Sequence, residues 1–119
     1  HGLHKDSCQF TCEQDADGLT VDTLDDQSFL AINGVQTLSA QVHAVMATPA
    51  ELIAHGIRRL RLSPHNCDMV EVAQIYRSLA EGKQEPERAR ALLSDLGLPG
   101  TLVDGYAHGR AGAEAVASP

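Results

Sequence analysis

The sequence predicts an α/β protein: a βαβα unit preceded by a short hairpin. Three observations carry this. Apolar and polar residues alternate from Leu19 onward and again at Ile57–Leu62. Two segments carry helix-starting signals followed by apolar stripes of helical period. Between Phe29 and Ala80 the two kinds of segment come in the order strand, helix, strand, helix, which builds parallel strands joined by right-handed crossovers.

The elements follow in order. Residues 1–17 are polar and turn-rich, and Glu13 to Asp26 holds six acids and no base. Leu19, Val21 and Thr23 alternate with polar neighbours, Asp25-Asp26-Gln27 turns, and Phe29-Leu30-Ala31-Ile32 runs apolar, which reads as a hairpin or two short strands. Asn33-Gly34 ends the second strand. From Ser39 to Ala47, Val42, Val45 and Met46 fall at helical spacing, so a helix is expected there. Thr48-Pro49-Ala50-Glu51 is a capping box with proline at the first helical position, and Gly56 stops that helix.

Ile57–Leu62 reads as the next strand, with Leu60 and Leu62 on one face and Arg59 and Arg61 on the other. Asp68 with Glu71 caps a helix whose stripe is Met69, Val72, Ala73, Tyr76, Leu79 and Ala80, closed by Gly82. Pro86 opens a further helix with Ala89, Leu92, Leu93 and Leu96, ended by Gly97, and Thr101–Val103 is a candidate short strand. Two parallel strands cannot bury their own faces within 119 residues, so the fold is expected to need neighbours.

Composition narrows the function. Sixteen Asp and Glu against nine Lys and Arg give a formal charge of −7, the wrong sign for a phosphate-binding surface, which argues against nucleic acid. No apolar run exceeds four residues, too short for a membrane span or a signal-peptide core. Three cysteines are too few for a disulfide scaffold, so free or metal-bound thiols in a reducing cytoplasm are expected.

Three metal readings arise. Glu13, Asp15, Asp17 and Gly18 match the start of a calcium loop, but its twelfth position is Leu24, which rejects calcium. His1, His4, Cys8 and Cys12 share one helix face and would suit zinc only on a bent backbone, because a straight helix spreads them over roughly 15 Å. Cys8 and Cys12 alone, spaced Cys-x3-Cys, suit half of a four-thiolate zinc or iron–sulfur site, or equally two small residues on a packed face. Cys67, just ahead of a helix, is either a dipole-activated thiol or a packing contact with Val72. His43, His55 and His65 share no ligand spacing, and neither a phosphate loop nor a nucleophile elbow is present.

Asn33-Gly34-Val35-Gln36-Thr37 and Ser63-Pro64-His65-Asn66 both follow expected parallel strands, the edge where α/β folds bind ligands. On adjacent strands Asn33, Gln36, Ser63, His65 and Asn66 would share one polar rim. The same residues serve equally as turn chemistry.

Four stretches together resemble the U-32 peptidase-like family, and within it the UbiV-like branch of ubiquinone biosynthesis. They are Lys5-Asp6-Ser7-Cys8-Gln9-Phe10-Thr11-Cys12, Asp17-Gly18-Leu19, Phe29 to Ala40, and Leu60 to Met69. The likeness runs in order from about residue 1 to 82 and returns at Gly105 to Gly112. It implies a (β/α) TIM-type barrel of roughly 250 residues or more. This chain would be a single C-terminal segment of it: 1–17 the cluster-ligand loop, 18–82 the hairpin and βαβα, and 83–119 a helix and tail.

The resemblance also implies a [4Fe-4S] cluster with Cys8 and Cys12 as two of its four ligands, the others upstream, and Cys67 not a ligand. It implies a UbiU-like sister protein as partner in a heterodimer, and a role in oxygen-independent hydroxylation of quinone precursors. The sister branch takes a ligand near Ala44, where this chain has no cysteine. The peptidase signature of the parent family lies upstream of His1, so no catalytic residue is assigned. Asp104 to Gly112 is similar to a family Asn-Gly-Tyr-aromatic-His-Gly pattern ending in Pro-Gly, with Ala107 in the aromatic position and Ala111 in the proline position. The alternatives are a U-32 peptidase or a non-catalytic zinc-binding or scaffold module.

Overall fold

The structure is a computed structural model and describes residues 7–116. It comprises two compact units, residues up to 40 and residues from 41 onward. Both strands and helices are present, so the coarse α/β expectation holds.

The first unit is an antiparallel meander of β1 (Leu19–Asp22), β2 (Ser28–Asn33) and β3 (Gln36–Ser39), in that spatial order. Leu19 pairs with Ile32 and Val21 with Leu30, as the alternation requires. Asn33 pairs with Gln36 across a two-residue turn. Gly34 takes its first position at φ 59°, the left-handed value that a tight hairpin with one glycine needs.

The second unit holds the core. Its strands β4 (Val42–His43) and β5 (Leu102–Val103) pair in parallel. Helices α1 (Pro49–Ala54), α2 (Met69–Ala80) and α3 (Pro86–Ser94) follow the sequence signals closely. Thr48 and Glu51 form the reciprocal capping box, with the Glu51 N–H donating to Thr48 Oγ1 at 3.3 Å and the Thr48 N–H to Glu51 Oε2 at 2.7 Å. Asp68 caps α2 by accepting from the Val70 and Glu71 N–H groups at 3.0 Å. Val72, Ile75 and Leu79 of α2 pack with Ala89 and Leu93 of α3 and with Val42, Ala44 and Leu102. Each large aliphatic side chain buried this way contributes about 1.5–3 kcal/mol. Ile75 belongs to this stripe, whereas Ala73 and Ala80 are exposed.

Three expectations are corrected. No helix forms over Ser39–Ala47. The segment instead closes β3 and contains β4, because the Asn33-Gly34 hairpin turns the chain back into antiparallel pairing. Ile57–Leu62 forms no strand ladder. The parallel pair is β4 with β5, while β2 is antiparallel to both neighbours, so the expected βαβα order from Phe29 to Ala80 is not formed. No barrel closure is seen among the described residues. No described helix is long and apolar enough to cross a membrane.

Candidate functional site

The thiol pair lies in the first unit, ahead of the sheet. Thr11–Gln14 is one 3-10 turn rather than part of a longer helix, so Cys8 and Cys12 do not share a helix face. Phe10, between them, has φ 54° and ψ 28°, a left-handed conformation uncommon for a bulky residue, and it reverses the chain there. Its N–H donates to Cys8 Sγ at 3.5 Å. Cys12 is half-buried beside the β2–β3 turn: a Cβ built on Gly34 would lie 4.0 Å from Cys12 Sγ. All three cysteines are free thiols.

Both sulfurs are soft donors suited to iron or zinc. Among the described residues no group of three or more His, Cys, Asp or Glu converges to hold a metal, so the pair is at most half of a four-ligand set. His1 and His4, which the zinc reading requires, lie outside the described residues.

Cys67 packs on the core, its Sγ 3.8 Å from Met69 Sδ. The first N–H groups of α2 donate to Asp68. That is the packing role, on the core cluster that includes Val72 and with Met69 Sδ as a partner of the sulfur.

The expected rim falls into two sets. Asn33 and Gln36 close the antiparallel β2–β3 turn, not the C-terminal end of a parallel strand. Asn33 Nδ2 donates to the Ala16 carbonyl at 3.3 Å, a bond spanning seventeen residues that ties the β2–β3 turn to the loop before β1. Ser63 and His65 line a cavity of about 310 Å³ in the second unit, together with His43, Arg61 and Tyr76. Asn66 is exposed and does not line it. The remaining wall is mostly apolar, from β4, Leu62, Val72, Leu93 and Leu98. Burial pushes the Tyr76 hydroxyl up to about 12, partly opposed by the Arg90 charge, so the phenol stays protonated and can only donate or accept a hydrogen bond at neutral pH.

Sequence reasoning assigned no role to the most buried charge. Asp104 directly follows β5, and its side chain is 4% exposed. Its Oδ2 pairs with Arg90 Nη2 of α3 and lies 3.5 Å from His108 Nε2. Its Oδ1 accepts the Val116 N–H at 2.8 Å. Arg90 Nη1 also donates to the Leu102 carbonyl at 3.4 Å. Gly105 and Gly112 are required here by close approach. A Cβ on Gly105 would stand 1.8 Å from the Ala111 carbonyl oxygen, and one on Gly112 would stand 2.3 Å from the Tyr106 ring. Every oxygen of Asp104 is engaged by the protein, so this cluster anchors the tail and offers no open base. The available signals were the Asp104–His108 spacing of four and an acid placed immediately after a strand.

Comparison with known proteins returns nothing: no protein family, curated protein or solved structure matches the chain.

Proposed function

We propose that this chain is part of an iron–sulfur protein of the UbiV type, with Cys8 and Cys12 as two of the four thiolate ligands of a [4Fe-4S] cluster. In this reading the chain is the C-terminal portion of a (β/α) TIM-type barrel, in a cytoplasmic protein. It acts with a UbiU-like sister protein in oxygen-independent hydroxylation of a quinone precursor.

The observation that carries the reading is the turn between the thiols. Two free sulfurs flank a left-handed residue whose N–H donates to one of them. Main-chain N–H donation to sulfur is one of the levers by which a protein sets cluster potential. The ordered likeness of Lys5–Cys12, Phe29–Ala40 and Leu60–Met69 to the family adds to it. When bound, such a cluster supplies one-electron redox chemistry. The part played by these residues is to present two thiolates, with Phe10 stabilising the charge on Cys8 and the Gly34 turn sheltering one side of Cys12.

The test is metal and sulfide analysis of the full natural chain purified without oxygen. Iron and labile sulfide at about four each per chain are expected, and a Cys8→Ser, Cys12→Ser double variant loses both. Unchanged sulfide in the double variant defeats the proposal. Zinc without sulfide assigns the chain to the zinc-binding alternative instead.

A further inference from the structure

One cavity of the second unit carries polar groups that its own fold leaves unused. The space of about 310 Å³ beside β4 is lined by His43, Arg61, Ser63, His65 and Tyr76. None of these five side chains makes a hydrogen bond or ion pair among the described residues. No Asp or Glu lines the cavity, although the chain carries sixteen. A guanidinium, two imidazoles and two hydroxyls thus face one space in which no carboxylate of the unit answers them.

The lining is also layered. His43, Arg61 and Ser63 are exposed and His65 and Tyr76 half-buried, whereas Val42, Ala44, Val72 and Leu93 are buried. The cavity is polar towards solvent and aliphatic at its floor. Arg61 is the one lining group with a permanent charge, and a guanidinium takes a carboxylate in bidentate fashion. An apolar cavity of about 150 Å³ holds benzene, so the larger space here suits a body the size of two fused rings.

Every lining residue falls between Val42 and Leu98, so the site draws on the second unit alone. His43 is the last residue of β4, and Ser63 and His65 follow the Ile57–Leu62 stretch. In the barrel reading these are the C-terminal ends of strands. Neighbouring strands of the same polypeptide pair along strand lengths and leave that face open to ligands.

We propose that this cavity binds a small carboxylic acid with an apolar ring body, its carboxylate on Arg61 and its rings on the aliphatic floor. The imidazoles and Ser63 add hydrogen bonds at the mouth, and the Tyr76 hydroxyl adds one from α2. The site uses neither thiol of the cluster reading. A Cys8→Ser, Cys12→Ser variant should therefore bind the acid as wild type does.

Naphthoate, titrated into the full natural chain, is the probe. Saturable binding with a Kd under about 1 mM is expected. Naphthylmethanol, which keeps the rings and lacks the charge, should bind about tenfold more weakly. Arg61→Gln should bring naphthoate down to the level of the alcohol, with helical circular dichroism retained because Arg61 is exposed. Tyr76→Phe keeps the ring and should weaken naphthoate severalfold, which places the ligand against α2. Absence of saturable naphthoate binding overturns the proposal. Equal binding of acid and alcohol, or unchanged binding in Arg61→Gln, overturns the carboxylate assignment, and so does tighter binding of naphthyl phosphate.

Discussion

The two units bury their apolar residues to very different extents. In residues 7–40 none is buried, and Leu19, Val21, Phe29, Ile32 and Leu38 of the sheet all remain exposed. From residue 41 onward two helices and a parallel strand pair enclose a continuous core. The first unit is therefore specified by its turns and ladder, the second by packing. A three-stranded sheet with open apolar faces is marginal on its own. Its order rests on local geometry such as the Gly34 turn, and the thiol pair is built on the less buttressed of the two units.

Substitutions can break or sharpen that contrast. The largest effect is expected in the core. Leu79 is 2% exposed, and Leu79→Ala should cost about 2–5 kcal/mol in urea unfolding. Ile32 is 42% exposed, and Ile32→Ala should cost under about 1 kcal/mol. Equal losses would mean that the sheet face is covered in solution.

Next comes Asp104→Ala. It removes a buried carboxylate and leaves the Arg90 guanidinium and the Val116 N–H without their acceptor, at about 2–4 kcal/mol. A shift in urea midpoint no larger than that of an exposed substitution would show that the cluster carries little stability.

The smallest effect is at the α1 cap. Thr48→Ala should cost about 1 kcal/mol at neutral pH. The Thr48 N–H, and then its hydroxyl, hold the Glu51 carboxyl below its ordinary range. A carboxyl lowered on folding stabilises above its unfolded pKa, and that contribution is lost as pH falls through the folded value. The stability gap between wild type and Thr48→Ala should therefore narrow in acid. A gap that is constant across the carboxylate range would show that the Thr48 hydroxyl adds nothing to the hold on Glu51, leaving it to the main-chain N–H that the variant keeps.

Much of the second unit was legible because its signals are local. Thr48-Pro49-Ala50-Glu51, the Asp68 cap, and the apolar stripes of α2 and α3 each act within a few residues and each forms, with Ile75 in the α2 stripe in place of Ala73 and Ala80. The strand pairing was not legible. Val42, Val45 and Met46 match a helix by spacing alone. Whether Val42 joins a strand depends on Leu102, sixty residues later, which sequence period does not encode. Ile57–Leu62 alternates like a strand yet has no ladder, since alternation states which face is apolar and not whether a neighbour exists. At the candidate site, the cysteine spacing was visible while the turn at Phe10 was not. The Arg90–Asp104 pair, fourteen residues apart, left no pattern to find.

The Val116 N–H has a further consequence. The carboxylate at the end of β5 is completed by a main-chain donor twelve residues later, and the Asp104 and Gly105 N–H groups both donate to the Glu114 carbonyl. Finishing the strand and closing the tail are thus one event. Amide exchange at Asp104, Gly105 and Val116 would share a single opening, and trimming the chain back past Val116 would loosen a strand it never touches in sequence.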